Sequence, residues 1–176
     1  MKTVAICRYG AGNVRSVELA FRRLGAEVVD DVRAADLAVL PGVGSARTAM
    51  AGLRERGLDD ALRERTKATL GICLGLQLAL DESDEDGGVA GLGLVPGRAV
   101  RLLGGRIPRI GWARLDGAEE AYWFAHSYAA DSPATTATSE GIAAIVEHGT
   151  FTGVQFHPEK SGAAGARFLE QCLSRA

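Results

Sequence analysis

Apolar positions along the chain follow two periods, and the first third alternates between them. Residues 3–7 form a short apolar run of the kind a buried strand shows, and Tyr9-Gly10-Ala11-Gly12-Asn13 breaks it with turn residues. Val14, Val17, Phe21 and Leu24 then recur at helical spacing, with Arg15, Glu18, Arg22 and Arg23 turned elsewhere and Gly25 where a helix C-cap belongs. Val28-Val29 opens a second strand. Leu37-Ala38-Val39-Leu40 is a third, stopped by Pro41. Ser45 is a suitable cap for a helix predicted to reach about residue 58. Residues 68–72 read as another buried strand, followed by a helix from 73 to about 80. Such strand–helix alternation predicts an α/β fold, with a mostly parallel central sheet covered by helices on both faces.

The second half has a different rhythm. The acidic run over residues 81–86, ending in Gly87-Gly88, reads as a solvated loop. Strand-like pieces follow at 99–103, 112–115, 122–125, 143–147 and 152–156, separated by Gly, Pro, Asp and Ser. They lie too close together for crossover helices, so antiparallel hairpins are expected. A closing helix is predicted over 162–173. No repeat or long linker divides the chain, and residues 1–176 are expected to form one domain.

Composition narrows the classes of function. A net charge of −2 offers no electrostatic basis for nucleic acid or an anionic membrane, and no apolar run approaches the length of a membrane span. Met1-Lys2-Thr3-Val4 moves straight into a strand pattern, without a signal peptide. Cys7, Cys73 and Cys172 are odd in number and far apart, which argues against a disulfide framework and for a reducing cytoplasm. The 23 glycines, about twice the average usage, point to many tight turns.

Three segments carry candidate chemistry. In Gly71-Ile72-Cys73-Leu74-Gly75 an apolar strand runs into a helix with a thiol at the corner. A nucleophile on such a sharp turn is strained, and small residues two positions either side let strand and helix approach. A helix N-terminus also favours thiolate. The alternative for any single cysteine is a buried core residue, which is how Cys7 and Cys172 read. In Phe156-His157-Pro158-Glu159, proline pushes His157 toward an extended conformation, where residues two apart share a face. His157 is then a candidate base and Glu159 its orienting carboxylate. His148 reads as a surface turn residue, whereas His126, at a strand end in Ala125-His126-Ser127-Tyr128, stays open. Pro41-Gly42-Val43-Gly44 follows a buried strand, and its backbone N–H groups, with that of Leu74, are candidate oxyanion donors. A phosphate loop, a dinucleotide fingerprint and zinc-ligand spacing are all lacking, so no cofactor and no metal is expected.

Together these motifs resemble the class I, triad-type glutamine amidotransferases. Gly71-Ile72-Cys73-Leu74-Gly75-Leu76-Gln77 is similar to their nucleophile elbow, Gln155-Phe156-His157-Pro158-Glu159-Lys160-Ser161 to their histidine–glutamate signature, and Pro41-Gly42-Val43-Gly44 to their oxyanion strand. Within that family, Tyr9-Gly10-Ala11-Gly12-Asn13-Val14-Arg15-Ser16-Val17, Pro108-Arg109-Ile110-Gly111-Trp112 and His126-Ser127-Tyr128 resemble the glutaminase subunits of imidazole glycerol phosphate synthase. The resemblance implies a catalytic triad of Cys73, His157 and Glu159, and oxyanion donors at Val43, Gly44 and Leu74. It implies L-glutamine held by Gly42, Gln77, Ser127 and Tyr128. It also implies a (β/α)₈-barrel cyclase subunit as partner, forming a heterodimer and receiving the ammonia, with Asn13, Arg15, Trp112, Trp123 and Lys160 facing it. Rivals are the same chemistry with another acceptor, a catalytically idle interaction module, and a stand-alone cysteine hydrolase. Arg8, Arg109-Ile110, Ala113 and Trp123 depart from the subfamily's pattern. The glycines of the 41–44 turn would permit a peptide flip that turns an oxyanion donor on or off. The isolated chain is therefore expected to be nearly silent until a liganded partner docks.

Overall fold

The alternation of side chains along each strand decides which residues meet which helices. A computed structural model describes residues 1–10 and 12–176; Ala11, within the glycine-rich segment singled out above, lies outside the described residues. Strand β1 (Thr3–Ile6) leads to α1 (Val14–Arg23), whose first turn is capped by Asn13: its side-chain oxygen accepts the Ser16 N–H at 3.4 Å. Then come β2 (Glu27–Val29) and β3 (Leu37–Leu40), the latter buried at all four positions. Ser45 caps α2 (Ala46–Glu55) as expected, but the helix ends before 58, because Gly57 adopts φ +63° and starts a separate α3 (Leu58–Arg63). β4 (Thr69–Ile72) runs into the short α4 (Leu74–Ala79).

The acidic run is not a solvated loop. It forms β5 (Leu80–Ser83) and a 3₁₀ turn (Glu85–Gly87). The sequence reading failed here because these carboxylates have protein partners: Asp81 accepts the Gly97 N–H at 2.9 Å, Asp84 pairs with Arg98, and Glu85 accepts the Ala46 N–H at 2.8 Å. The remaining elements are β6 (Val89–Ala90), β7 (Val95–Arg101), β8 (Arg109–Arg114), β9 (Ala121–His126), β10 (Tyr128–Asp131), β11 (Thr135–Ser139), β12 (Ile142–His148), β13 (Phe151–Val154), a 3₁₀ turn (Pro158–Lys160) and α5 (Gly162–Arg175). β10 and β11 lack long apolar runs, and the sequence did not announce them.

A seven-stranded sheet has the order β11-β12-β13-β4-β3-β1-β2. Five of its strands, from β13 to β2, run parallel; β12 pairs antiparallel with β13, and β11 antiparallel with β12. The expected antiparallel hairpins form at β8–β9 and along β11–β12–β13, although β13 also pairs parallel with β4 on its other side; β7 pairs antiparallel with the distant β10 and parallel with β5 instead of forming a hairpin. Val4, Ile6, Leu37, Val39, Leu70 and Ile72 point to the face covered by Val17 and Phe21 of α1 and Leu169 and Leu173 of α5. Ala5, Ala38 and Leu40 point to the other, against Ala49, Met50 and Leu53 of α2 and Leu62 of α3. Successive residues of one strand thus feed two cores, and continuous apolar runs are what a doubly covered sheet requires. Among the described residues, no helix is long and apolar enough to cross a membrane.

Candidate functional site

Three adjacent parallel strands, β3, β4 and β13, deliver the three motifs to one edge of the sheet. Open α/β sheets bind ligands at the carboxyl ends of their strands. Cys73 follows β4 with φ +53° and ψ −109°, a left-handed conformation rare for a residue with a side chain. The flanking glycines are sterically required. A Cβ on Gly75 would lie 1.8 Å from the Leu40 carbonyl oxygen, and one on Gly71 2.6 Å from the Phe151 ring. This bears out the reading of a strained corner packed tightly between strand and helix.

The β13 side of the site brings in the base. β13 is paired with β4 in register, Val154 opposite Ile72, so Gln155 follows the one as Cys73 follows the other, and the Cys73 N–H donates to the Val154 carbonyl at 2.7 Å. Two residues on, His157 lies close enough to Cys73 to interact with it electrostatically, while its Nδ1 lies 2.9 Å from a Glu159 oxygen. Both side chains are almost wholly buried. They do meet, although not along an extended strand: His157 is extended, but Pro158 opens the 3₁₀ turn that swings Glu159 back onto the ring. Burial opposes protonation of His157. Its interaction with the neighbouring Cys73 and its hydrogen bond to the Glu159 carboxylate outweigh burial and raise it to about 9. The Ser161 hydroxyl, which the sequence reading did not single out, donates to the His157 carbonyl at 2.6 Å and accepts the Trp123 N–H at 2.9 Å, clamping this turn to β9.

On the opposite side, Gly44 has φ +98° with open space around it, whereas Gly42 is packed: a Cβ there would lie 2.7 Å from the Leu74 Cβ. The Tyr9 hydroxyl donates to the Pro41 carbonyl and pins the start of this turn. A cavity of about 270 Å³ lies between, lined by Val43, Gly44, Cys73, Leu74, Gln77, Glu85, Pro108, Ile110, Ala125, His126, Ser127 and Tyr128. That suits a ligand smaller than the drug-sized molecules taken by pockets of roughly 300–1,000 Å³. Most of the expected substrate-contacting positions meet there. Gly42 does not line the cavity and instead lets the turn pack on α4. Gln77 Nε2 is engaged by the Tyr128 carbonyl at 2.8 Å and by Gln155 Oε1 at 3.2 Å, so its own oxygen is what it can offer a ligand. A larger concavity of about 540 Å³ sits at the amino ends of β3 and β4, and it includes Cys172 but no histidine.

His126, left open by the sequence, is buried. Its Nδ1 lies 2.8 Å from the Tyr128 carbonyl, which can only accept, so the proton is on Nδ1. Burial lowers this histidine to about 4, with Arg109 and His157 adding to the effect, and the ring is neutral at pH 7. Arg109 stacks 4.3 Å above the Phe124 ring and pairs with Glu140 at 3.0 Å and Ser139 at 2.7 Å. Val43 and Ile110 of the cavity wall are exposed, as is Trp112 farther along β8, which meets the half-buried Trp123 edge-on at 5.9 Å. Asn13, Arg15 and Lys160 are also exposed. The arrangement can support nucleophilic acyl transfer: a thiol, a base, a carboxylate behind it, and backbone donors across a small cavity.

Known proteins agree with this chemistry. Residues 13–176 match the family described as Glutamine amidotransferase class-I. The chain is 42% identical to the imidazole glycerol phosphate synthase subunit HisH of Exiguobacterium sibiricum, over 96% of this chain and 93% of that protein. It is 44% identical to the protein of that name from Methanothermobacter thermautotrophicus, over 94% and 95%. A crystal structure of a glutamine amidotransferase superposes with a TM-score of 0.79 at 21% identity, covering 98% of this chain and 99% of that one, and so shares its fold. The chain belongs to the class I glutamine amidotransferases and, among them, to the HisH subunits of imidazole glycerol phosphate synthase.

Proposed function

We propose that this enzyme of histidine biosynthesis hydrolyses L-glutamine at Cys73 and passes the ammonia to a (β/α)₈-barrel cyclase subunit. The observation that carries the reading is the meeting of Cys73, His157 and Glu159 beside a small cavity walled by Gly44 and Leu74. Cys73 thiolate attacks the side-chain amide carbon, and the N–H groups of the Val43–Gly44 turn and Leu74 receive the oxyanion. The His157 imidazolium gives its proton to the amide nitrogen, ammonia leaves, and a thioester remains. Neutral His157 then takes a proton from water as it attacks the thioester. Collapse releases glutamate and restores the thiolate–imidazolium pair. Glu159 holds the ring and stabilises its charged form throughout.

Gln77, Ser127 and Tyr128 border the cavity and are assigned to the amino-acid end of glutamine. Exposed Ile110 and Val43 of the cavity wall and exposed Trp112, with Asn13, Arg15, Trp123 and Lys160, are assigned to the surface facing the cyclase partner. The test is ammonia release from glutamine by the purified chain, alone and with a cyclase subunit plus its acceptor substrate. Low turnover alone and strong activation by the liganded partner are expected. Full-rate turnover by the chain alone would remove the switch at the 41–44 turn. Absence of turnover under every condition, in protein whose Cys73 still alkylates, would remove the glutaminase assignment.

A further inference from the structure

Gln155 has no access to solvent, and it follows the last paired residue of β13, Val154, as the candidate nucleophile follows that residue's partner Ile72 on β4. A buried amide costs free energy unless its polar atoms are satisfied, so the identity of its partners matters. Those partners form a chain whose polarity can be worked out from one end. The Tyr128 carbonyl can only accept, and it lies 2.8 Å from a terminal atom of the Gln77 side chain, which must therefore be the amide nitrogen. That nitrogen also lies 3.2 Å from a terminal atom of Gln155, which must be the oxygen. Gln155 is left with only its nitrogen to turn toward Cys73, and Nε2 sits 3.6 Å from Sγ. The orientation of both amides follows from a single backbone carbonyl. His126 Nδ1–H donates to the same carbonyl at 2.8 Å, occupying its second lone pair and making the anchor rigid.

We propose that Gln155 is a catalytic residue: its side-chain N–H donates to Cys73 Sγ and holds the sulfur as thiolate, while Gln77 is a positioning residue that keeps the donor end of Gln155 toward the sulfur. This rests on Cys73 being the nucleophile. The thiolate gains a neutral donor that does not compete for protons, unlike His157, so sulfur activation is shared between a group that must later lose its proton and one that never does. The Ala125 carbonyl, 3.7 Å from Sγ on the other side, favours the thiol, so the donor opposes a nearby dipole of the wrong sign. The titratable and charged groups around the sulfur are His157 with Glu159 behind it, the neutral His126 with Arg109 beyond, Tyr9 from the segment after β1, and Glu85 on the cavity wall.

The test is the pH profile of Cys73 alkylation by iodoacetamide in the full chain, followed by mass spectrometry of the Cys73 peptide. Gln155→Met keeps the shape and removes the donor, and Gln155→Glu keeps the shape and sets an acceptor against the sulfur. The midpoint is expected to rise by about one pH unit in Gln155→Met, a tenfold change in proton affinity, and further in Gln155→Glu. Gln77→Met is expected to shift it the same way by less. A role confined to packing would lower the melting temperature and turnover and leave the midpoint in place, which overturns the proposal. In ¹⁵N-labelled wild-type protein, which needs no Gln155 variant, the Gln155 side-chain amide is expected to move through the alkylation midpoint and to stay still in Cys73→Ser. An amide that ignores the titration likewise overturns it. Failure of Cys73 to alkylate in the wild type would instead overturn the assignment of the nucleophile itself.

Discussion

A carboxylate oxygen of Glu85 accepts the backbone N–H of Ala46 at 2.8 Å, tying the acidic segment after β5 to the first turn of α2, immediately beyond the candidate oxyanion turn. Asp86 adds a contact from its carboxylate to the Arg47 N–H at 3.4 Å, and the Arg47 side chain returns to the Asp86 carbonyl at 2.7 Å. The position of α2, and of the turn feeding it, is thus set partly by a segment 39 residues downstream.

Glu85 is half-buried, and burial, assisted by Asp86, raises its carboxyl above the ordinary range despite the Ala46 hydrogen bond. A raised folded-state value means that this group's contribution to stability is full below the ordinary carboxylate range and is lost as pH rises through the raised value. Glu85→Gln is therefore expected to melt at or slightly above the wild type at pH 7, with the advantage vanishing near pH 4. Glu85→Ala, which loses the capping acceptor, is expected to cost about 1 kcal/mol. Calorimetry of both variants at the two pH values is the check, and a Glu85→Gln loss as large as that of Glu85→Ala at pH 7 would contradict it.

The three thiols are expected to differ sharply in reactivity. Burial pushes Cys7 and Cys172 up to about 12, and neither has a histidine beside it, whereas Cys73 has His157 and opens on the cavity. A glutamine-analogue electrophile at neutral pH is expected to label Cys73 alone. Peptide mapping that finds the adduct mainly on Cys172 would refute the assignment.

His157 and Glu159 separate in both activity and pH dependence. His157→Ala is expected to abolish measurable turnover, and Glu159→Gln to be roughly tenfold to a hundredfold less damaging, because an orienting group is usually less critical than the base. His157 is raised from 6.5 to about 9 by its partners. Its contribution to stability is thus full below about pH 6.5 and lost as pH rises through about 9. The excess stability of wild type over His157→Gln, from denaturant melts between pH 6 and 10, is expected to shrink across that window. A pH-independent difference would mean that the ion pair does not form.

Glycine replacements at the site are expected to fail for different reasons. In Gly75→Ala the new methyl meets the Leu40 carbonyl oxygen at 1.8 Å, so the ordinary helix advantage of alanine is overwhelmed and a loss of about 2–4 kcal/mol is expected. Gly44→Ala finds open space but must hold φ +98°, so a cost of roughly 1–2 kcal/mol is expected, with loss of turnover out of proportion to it. Urea melts set beside partner-activated turnover distinguish the two. A Gly44→Ala variant of full activity would show that the conformation of the turn does not matter to the oxyanion.

The sequence by itself determined the strands that carry chemistry and the chemistry they carry. Residues 37–40, 68–72 and 152–156 read as largely apolar strands because a sheet covered on both faces demands it, and the 41–44 glycines, Cys73 and His157 sit directly after them. Local chemistry also announced the cap at Ser45 and the small residues around the elbow, whereas the cap at Asn13, read only as a turn residue, emerged with the structure. Only the tertiary structure decided that β13 pairs in parallel with β4, because strand order depends on long-range hydrogen bonding that no local pattern encodes. That pairing sets Gln155 beside Cys73, and it explains why a residue quoted within a motif gained a partner 82 positions away. The same limit applies to the acidic run over residues 81–86. Its charges look solvated in the sequence, and only folding supplies the backbone N–H groups and the arginine that make them part of the frame around the site.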